Sequence, residues 1–275
     1  MDSRSARVAT LRPHPVGDLL RGWRSRRAMS QAELAFEAGI SIKHLSHVET
    51  GKAAGSRAVL LQLAAALSLS LRDRNALLET GGFARQYGER ALSAPEIADA
   101  KRAIDLLLRR HEPFPAIVTD RQWKVLQANR AARRLMTLLL GTERMRRPLN
   151  HMRMFLAAEE LRPFVENWTS LAAALMARAR HEAMAAPFDL ALQSTWRALL
   201  ELPDVAAPHL NESEAPGPLC EVRLRKGDLA LGLIGAVLTL GTPQDVTLQE
   251  LRVEMFMPAD AASEAALVAL AGQAL

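Results

Sequence analysis

Ser30–Lys52, SQAELAFEAGISIKHLSHVETGK, reads as helix, short turn, helix. Ser30 is a good N-cap, and Glu33 stands three residues on, the capping-box spacing that satisfies two backbone donors reciprocally. Leu34, Ala35 and Ala38 put apolar surface on one side of the first helix. Gly39 supplies the left-handed backbone position that ends it. Ser41 caps a second helix, in which Leu45 and Val48 face inward and Gly51 stops the run. That leaves Ile42, Lys43, Ser46 and His47 on the outward face. A short, capped, exposed helix with a mixed polar face, held at a fixed angle by a glycine turn, has the geometry that enters a DNA major groove. Taken alone, the same corner also reads as two packed helices and nothing more.

The flanks favour the first reading. Val16–Arg27 is an amphipathic helix with Val16, Leu19, Leu20 and Trp23 inward and Arg21, Arg24, Arg26 and Arg27 outward. Arg57–Leu67 is a strongly apolar helix, and Ser70 caps Leu71–Thr80, which Gly81 and Gly82 close. Five short helices over residues 13–83 make a small all-α bundle, near the lower size limit at which a core supports itself. The SQAELA opening, the AGIS turn and the VETGK close resemble the Xre/Cro-type helix-turn-helix regulators, in order and in spacing. In this reading Ile42, Lys43, Ser46 and His47 face the bases. Gln31, Arg24 and Arg27 hold phosphates, because a helix N-terminus with a side-chain amide suits an anion. Ser41 and Lys52 complete the DNA-binding candidates.

Charge is distributed to match. The chain of 275 residues carries 35 basic and 30 acidic side chains, a formal net charge of +5. Residues 1–92 hold 14 basic and 8 acidic residues, and residues 93–275 hold 21 and 22, so the excess positive charge lies with the helix-turn-helix. Basic residues that neutralise phosphates release counterions and supply most of the non-specific affinity for DNA. Cys220 is the one cysteine, which excludes an internal disulfide framework, fits a reducing compartment and suggests a buried structural thiol. Met1–Pro15 bears arginines but no apolar core and cleavage site of a signal peptide, and Leu229–Leu240 is too short to span a bilayer as a helix. The expectation is a cytoplasmic, nucleoid-associated protein without a membrane partner, with residues 1–12 a disordered tail.

A polar linker is expected over residues 84–95, followed by an α+β domain over 96–275. Glu96–Arg110 reads as a helix with Ile97, Ala100, Ile104, Leu107 and Leu108 in one stripe. Ile117–Thr119 is a short strand, Asp120-Arg121 a turn, and Trp123, Val125 and Gln127 alternate as a second strand. Asn129 caps Arg130–Leu140. Further helices are expected at His151–Ala157, Leu161–Ala185 and Phe188–Leu202, and a proline- and acid-rich loop at Val205–Pro218. Three strands are expected at Leu219–Arg225, Leu229–Leu240 and Val246–Met257. About five strands with inserted helices is what a PAS-like sensor fold looks like in sequence.

Two stretches make that resemblance specific. PFPAIVTDRQWKVLQANRAARRLM and LGTPQDVTLQELRVEMFMPAD are similar to the opening and the close of the MmyB-like ligand-binding domain. With the N-terminal bundle, the resemblance covers roughly residues 14–270. It implies a one-component bacterial regulator with a PAS-like pocket for an apolar, fatty-acid-like ligand. The chain departs from the usual pattern at Gln127, where an aromatic residue is common. From the residues themselves, an apolar pocket needs aliphatic and aromatic lining with few polar groups. Trp123, Met136, Met154, Phe155, Phe164, Trp168 and Leu171 supply such a lining, and they read equally as ordinary core. Asn129 and Arg153, with His151 and Arg162, are the polar candidates for gripping a head group.

No catalytic constellation emerges. His181-Glu182-Ala183-Met184-Ala185 begins like a zinc-protease motif but has alanine where the second histidine belongs. There is no phosphate-binding glycine loop and no nucleophile elbow, so neither catalytic residue, metal nor cofactor is expected. Because one small helix-turn-helix reads only a few base pairs, two copies on a palindromic operator are expected. Leu229–Leu240 is apolar on both faces and would be covered on both, in part by a second subunit. The reading is a ligand-responsive DNA-binding regulator; the alternative is a DNA-binding protein whose C-terminal domain takes a protein partner.

Overall fold

The computed structural model describes residues 15–203, 205, 220–241 and 243–272. The expected N-terminal tail, most of the acidic loop and the side chain of Cys220 lie outside them. The chain forms two compact units, residues 1–89 with 244–246, and residues 90–243 with 247–275.

The first unit is helical: α1 (Pro15–Arg26), α2 (Gln31–Glu37), α3 (Ile42–Glu49), α4 (Arg57–Ala66) and α5 (Leu71–Thr80). Each boundary has its local cause. Ser30 Oγ accepts from the Glu33 N–H at 3.2 Å and the Glu33 carboxylate accepts from the Ser30 N–H at 2.6 Å, closing the capping box. The Oγ of Ser41, Ser56 and Ser70 likewise accepts from the N–H three residues on, capping α3, α4 and α5. Gly39 takes φ +65° in the turn between α2 and α3. The core is aliphatic with one large aromatic: Leu20, Trp23, Leu34, Leu45, Leu60, Leu63, Leu67 and Leu77 are fully buried. The first part of the expected linker belongs to this unit, since Asn75 Oδ1 accepts from the Gln86 and Tyr87 N–H groups at 3.0 and 3.1 Å.

The second unit is built on a five-stranded antiparallel sheet of β1 (Ala116–Thr119), β2 (Val125–Ala128), β3 (Cys220–Lys226), β4 (Leu229–Leu238) and β5 (Arg252–Pro258), in the order β2-β1-β5-β4-β3. Helices α6 (Ala98–Arg110), α7 (Arg130–Leu140), α8 (Thr142–Met145), α9 (His151–Leu156), α10 (Trp168–Ala185), α11 (Leu190–Leu200), α12 (Val246–Glu250, apart from Val246, which groups with the first unit) and α13 (Ala261–Gly272) complete it. Both faces of the central strands are covered. Ile104 and Leu108 of α6 pack with Ala116, Val118, Leu251 and Val253 on one face. Ile117, Val222, Leu224, Leu231 and Leu233 meet α7, α9 and α10 on the other. This explains why all four residues of β1 are buried, since alternating side chains enter two different cores.

Several elements differ from the sequence reading. Val246–Met257 is not one strand. Its first five residues are α12, and pairing with β1 and β4 starts only at Arg252. The helix α13 was not foreseen; its start is fixed by Asp260, whose Oδ1 accepts from the Ser263 N–H at 2.7 Å. The long helix begins at Trp168 rather than Leu161, because Pro163 sits in a separate 3-10 turn. Trp123 is not a strand residue either. Asp120 Oδ1 accepts from the Gln122 and Lys124 N–H groups at 2.8 and 3.0 Å, tightening the loop so that Trp123 takes φ +61°. On β4, Leu231 and Leu233 are buried, whereas Val237, farther along the same face, is exposed.

At Gly17 the backbone of α1 lies directly against α3. A methyl group there would stand 2.0 Å from the Glu49 carbonyl oxygen of α3. Gly17→Ala is therefore expected to lower unfolding free energy by on the order of 1–3 kcal/mol, the usual cost of overpacking. Urea denaturation followed by far-ultraviolet circular dichroism measures it, and an unchanged midpoint would refute the contact.

Candidate nucleic-acid interface and effector pocket

On α3, Leu45, Val48 and Glu49 are buried, which leaves the other side free. Ser41, Ile42, Lys43 and Lys52 are exposed, and Ser46 and His47 are half-buried. The residues assigned to the reading face therefore share one side of one helix. Phe36, which the sequence reading left out, stands 84% exposed on α2.

Three of the expected phosphate contacts have internal work. Glu49 is 0% exposed, and its carboxylate accepts from Arg24 Nε at 2.8 Å, Arg24 Nη2 at 3.1 Å and Gln31 Nε2 at 2.7 Å. Arg21 donates to the Glu49 main-chain carbonyl. Arg24 and Gln31 are thus committed to tying α1, α2 and α3 together, because a buried carboxylate must be paired. Arg27 is half-buried and donates to the Trp23 carbonyl at 3.3 Å; burial lowers its pKa, partly offset by the charge of Asp73. The signal for Glu49 was its place one residue after Val48, on the apolar side of α3.

In the second unit, Met136, Met154 and Phe155 line an apolar cavity of about 40 Å³, together with Ile117, Leu135 and Leu233. A neighbouring cavity of about 140 Å³ is lined by Leu171, Leu175, Val222, Val237 and the polar side chains His151, Arg178 and Glu254. His151, Phe155 and Phe256 border both. Other lining candidates lie elsewhere. Trp123 is buried with Nε1 donating to Glu182 at 3.0 Å. Trp168 Nε1 donates to the Phe155 carbonyl at 3.0 Å, with Arg162 stacked 3.8 Å over its ring. Phe164 lies 4.9 Å beneath Lys226.

Two head-group candidates are corrected. Asn129 Oδ1 accepts from Ala116 and Ala132 N–H groups while Nδ2 donates to the Phe114 carbonyl at 2.7 Å, so its amide is consumed in joining β1 to α7. It borders a separate open groove of about 970 Å³ rimmed by Arg109, Arg130 and Arg133. Arg153 points outward and pairs with Glu159. The polar group that does reach both apolar cavities is His151. Glu182, noticed only as part of a failed metal motif, accepts from Arg178 Nε at 2.9 Å. Arg178 also donates to Glu254 through Nη1 and Nη2, at 3.1 and 2.7 Å. Burial alone would lower the Arg178 pKa, but the hydrogen bonds and charge of Glu254, joined by Glu182, raise it. Among the described residues, no group of three or more His, Cys, Asp or Glu is placed to hold a metal, and no helix is long and apolar enough to cross a membrane.

Burial lowers the pKa of His151, and the nearby Glu254 carboxylate only partly opposes this. The folded state then holds a neutral ring, while the unfolded chain protonates near pH ~6.5. Below that pH the unfolded state binds more protons, so stability present above it is lost as pH falls through the folded-state pKa. His151→Leu is expected to flatten the loss of stability below about pH 6.5. Urea midpoints measured across that range test this, and parallel curves for the two proteins would refute it.

Residues 15–77 match the model of a helix-turn-helix domain. Residues 100–270 match the model of the MmyB-like transcription regulator ligand binding domain. A comparison with curated proteins returned no match. Both matched families are domains of transcription regulators, and the second spans more than half of the chain. With a capped helix pair at its N-terminus, followed along the chain by a helix-covered antiparallel sheet, the chain belongs to the MmyB-like transcription regulators and is a DNA-binding regulator.

Proposed function

We propose that this regulator reads its operator with the outward side of α3 and that a small apolar molecule in the C-terminal unit modulates the reading. The observation that carries the DNA half is the exposed Ile42–Lys43 edge, continued by Ser46 and His47, on a helix whose opposite side is buried. Lys52 supports it as an exposed phosphate partner, and Ser41 offers its exposed position at the helix N-terminus. The ligand half is supported by two adjoining cavities with apolar walls beside a single polar cluster. Its PAS-like character rests on the sheet of five antiparallel strands with helices inserted after β2. The protein would act in the cytoplasm, at the nucleoid.

A second reading, a protein partner on the C-terminal unit, is favoured by one observation. Met184, Phe188 and Leu190 are exposed together where α10 passes into α11. Exposed apolar residues clustered in this way mark interaction sites.

Two measurements test the proposal. Lys43→Ala combined with His47→Ala is expected to abolish operator selectivity in footprinting while leaving the melting curve unchanged; an unaltered footprint would sink the assignment of the reading face. A homodimer on a palindromic operator follows from the few base pairs one head can read. Sedimentation should then give a dimer at micromolar concentration, and a clean monomer with and without DNA would remove it.

A further inference from the structure

We infer that the open groove between α6, the edge strand β2 and the start of α7 is a second small-molecule site, for an adenine nucleotide with more than one phosphate. The groove shares no lining residue with either apolar cavity, so the inference stands apart from the sensor reading above. At about 970 Å³ it lies at the upper end of the roughly 300–1,000 Å³ that small-molecule sites occupy.

Charge selects an anion. Arg109, Arg130, Arg133 and Arg134 line the groove against Asp105 and Glu112, four cations to two carboxylates. Both carboxylates are already engaged. Asp105 accepts from Lys101 Nζ at 2.6 Å, and Glu112 accepts from the Arg130 and Ala131 N–H groups at 2.6 and 3.2 Å. Arg133 and Arg134 each turn one nitrogen to a main-chain carbonyl, of Ala128 and Ala271, which leaves their charge unspent. Arg109 and Arg130 are exposed, and their guanidinium groups have no partner among the described residues. Arg130, Arg133 and Arg134 recur at i, i+3 and i+4, and so stand on one side of α7. All four cations are arginine. A guanidinium grips phosphate through two parallel hydrogen bonds, which a lysine ammonium does not.

The walls select the body that carries the phosphates. Leu108, Pro113, Leu126, Ala128 and Ala271 give the groove an apolar surface that a bare polyanion would not use. A flat ring would use it, and a guanidinium plane stacks on such a ring. Gln127 belongs to the same wall, and its Oε1 is buried with no hydrogen-bond partner. An acceptor left unpaired costs free energy, so the position favours a ligand donor that completes it. Turned toward the groove about its last torsion, the amide meets the edge of an adenine. The N6 amine then donates to Oε1 and N7 accepts from Nε2.

Calorimetric titration of the full chain, at physiological ionic strength and without divalent cations, tests the inference with ATP, UTP, adenosine, inorganic tripolyphosphate and octaglutamate. ATP is expected to bind about ten-fold tighter than each of the others. Arg109→Ala and Arg130→Ala should each weaken ATP about ten-fold, since each removes a charge-assisted contact. Both side chains are exposed, so unchanged melting curves report an intact fold. Gln127→Leu should bring ATP to the affinity of UTP and leave tripolyphosphate unchanged. UTP or tripolyphosphate as tight as ATP would overturn the adenine assignment. Octaglutamate as tight as ATP would overturn the nucleotide in favour of an acidic peptide. ATP binding retained in full by both arginine variants would put the ligand elsewhere on the chain. Silence from all five probes would leave these arginines as solvated surface, and either result overturns the inference.

Discussion

The N-terminal unit is organised around one buried carboxylate. Glu49 sits at the last turn of α3 with no solvent exposure, and it is held by Arg24 from α1 and Gln31 from α2. Three helices therefore share a single charge, and none can shift without breaking a charge-assisted hydrogen bond. Removing one partner of such a buried pair typically costs about 3–5 kcal/mol, a large part of the stability of a domain this small. The aliphatic core gives the bundle its bulk, but it is non-directional. The orientation of α3 is set by the directional contacts.

The C-terminal unit uses the same device for a different purpose. Arg178 on α10 grips Glu254 on β5 and Glu182 one turn along its own helix, and Trp123 joins through Glu182. This polar cluster stands at the inner face of the sheet, next to side chains that are otherwise apolar. All of its members are satisfied by one another except the His151 ring nitrogen.

Much of the first unit was legible because its signals are local. A serine three residues before a glutamate, or a glycine between two amphipathic runs, acts within one or two turns of chain. The same holds for Asn129, whose cap on α7 was readable, although its bonds to Ala116 and Phe114 were not. What stayed hidden depends on partners far apart in sequence. Arg24 and Gln31 read as free phosphate ligands until Glu49 folded against them. Trp123 fits an alternating strand pattern, and only the Asp120 loop and the distant Glu182 draw it into the turn. Met154 and Phe155 were visible as apolar lining, but the small size of the cavity they enclose is a property of packing, on which sequence periodicity is silent.

Gly17 has a consequence for how a signal can travel. The backbone of α1 lies against the end of α3, so the two helices are held in close contact within their own unit. In the proposed switch, an effector would then act on the unit as a body, altering where it stands on DNA and leaving untouched what it reads.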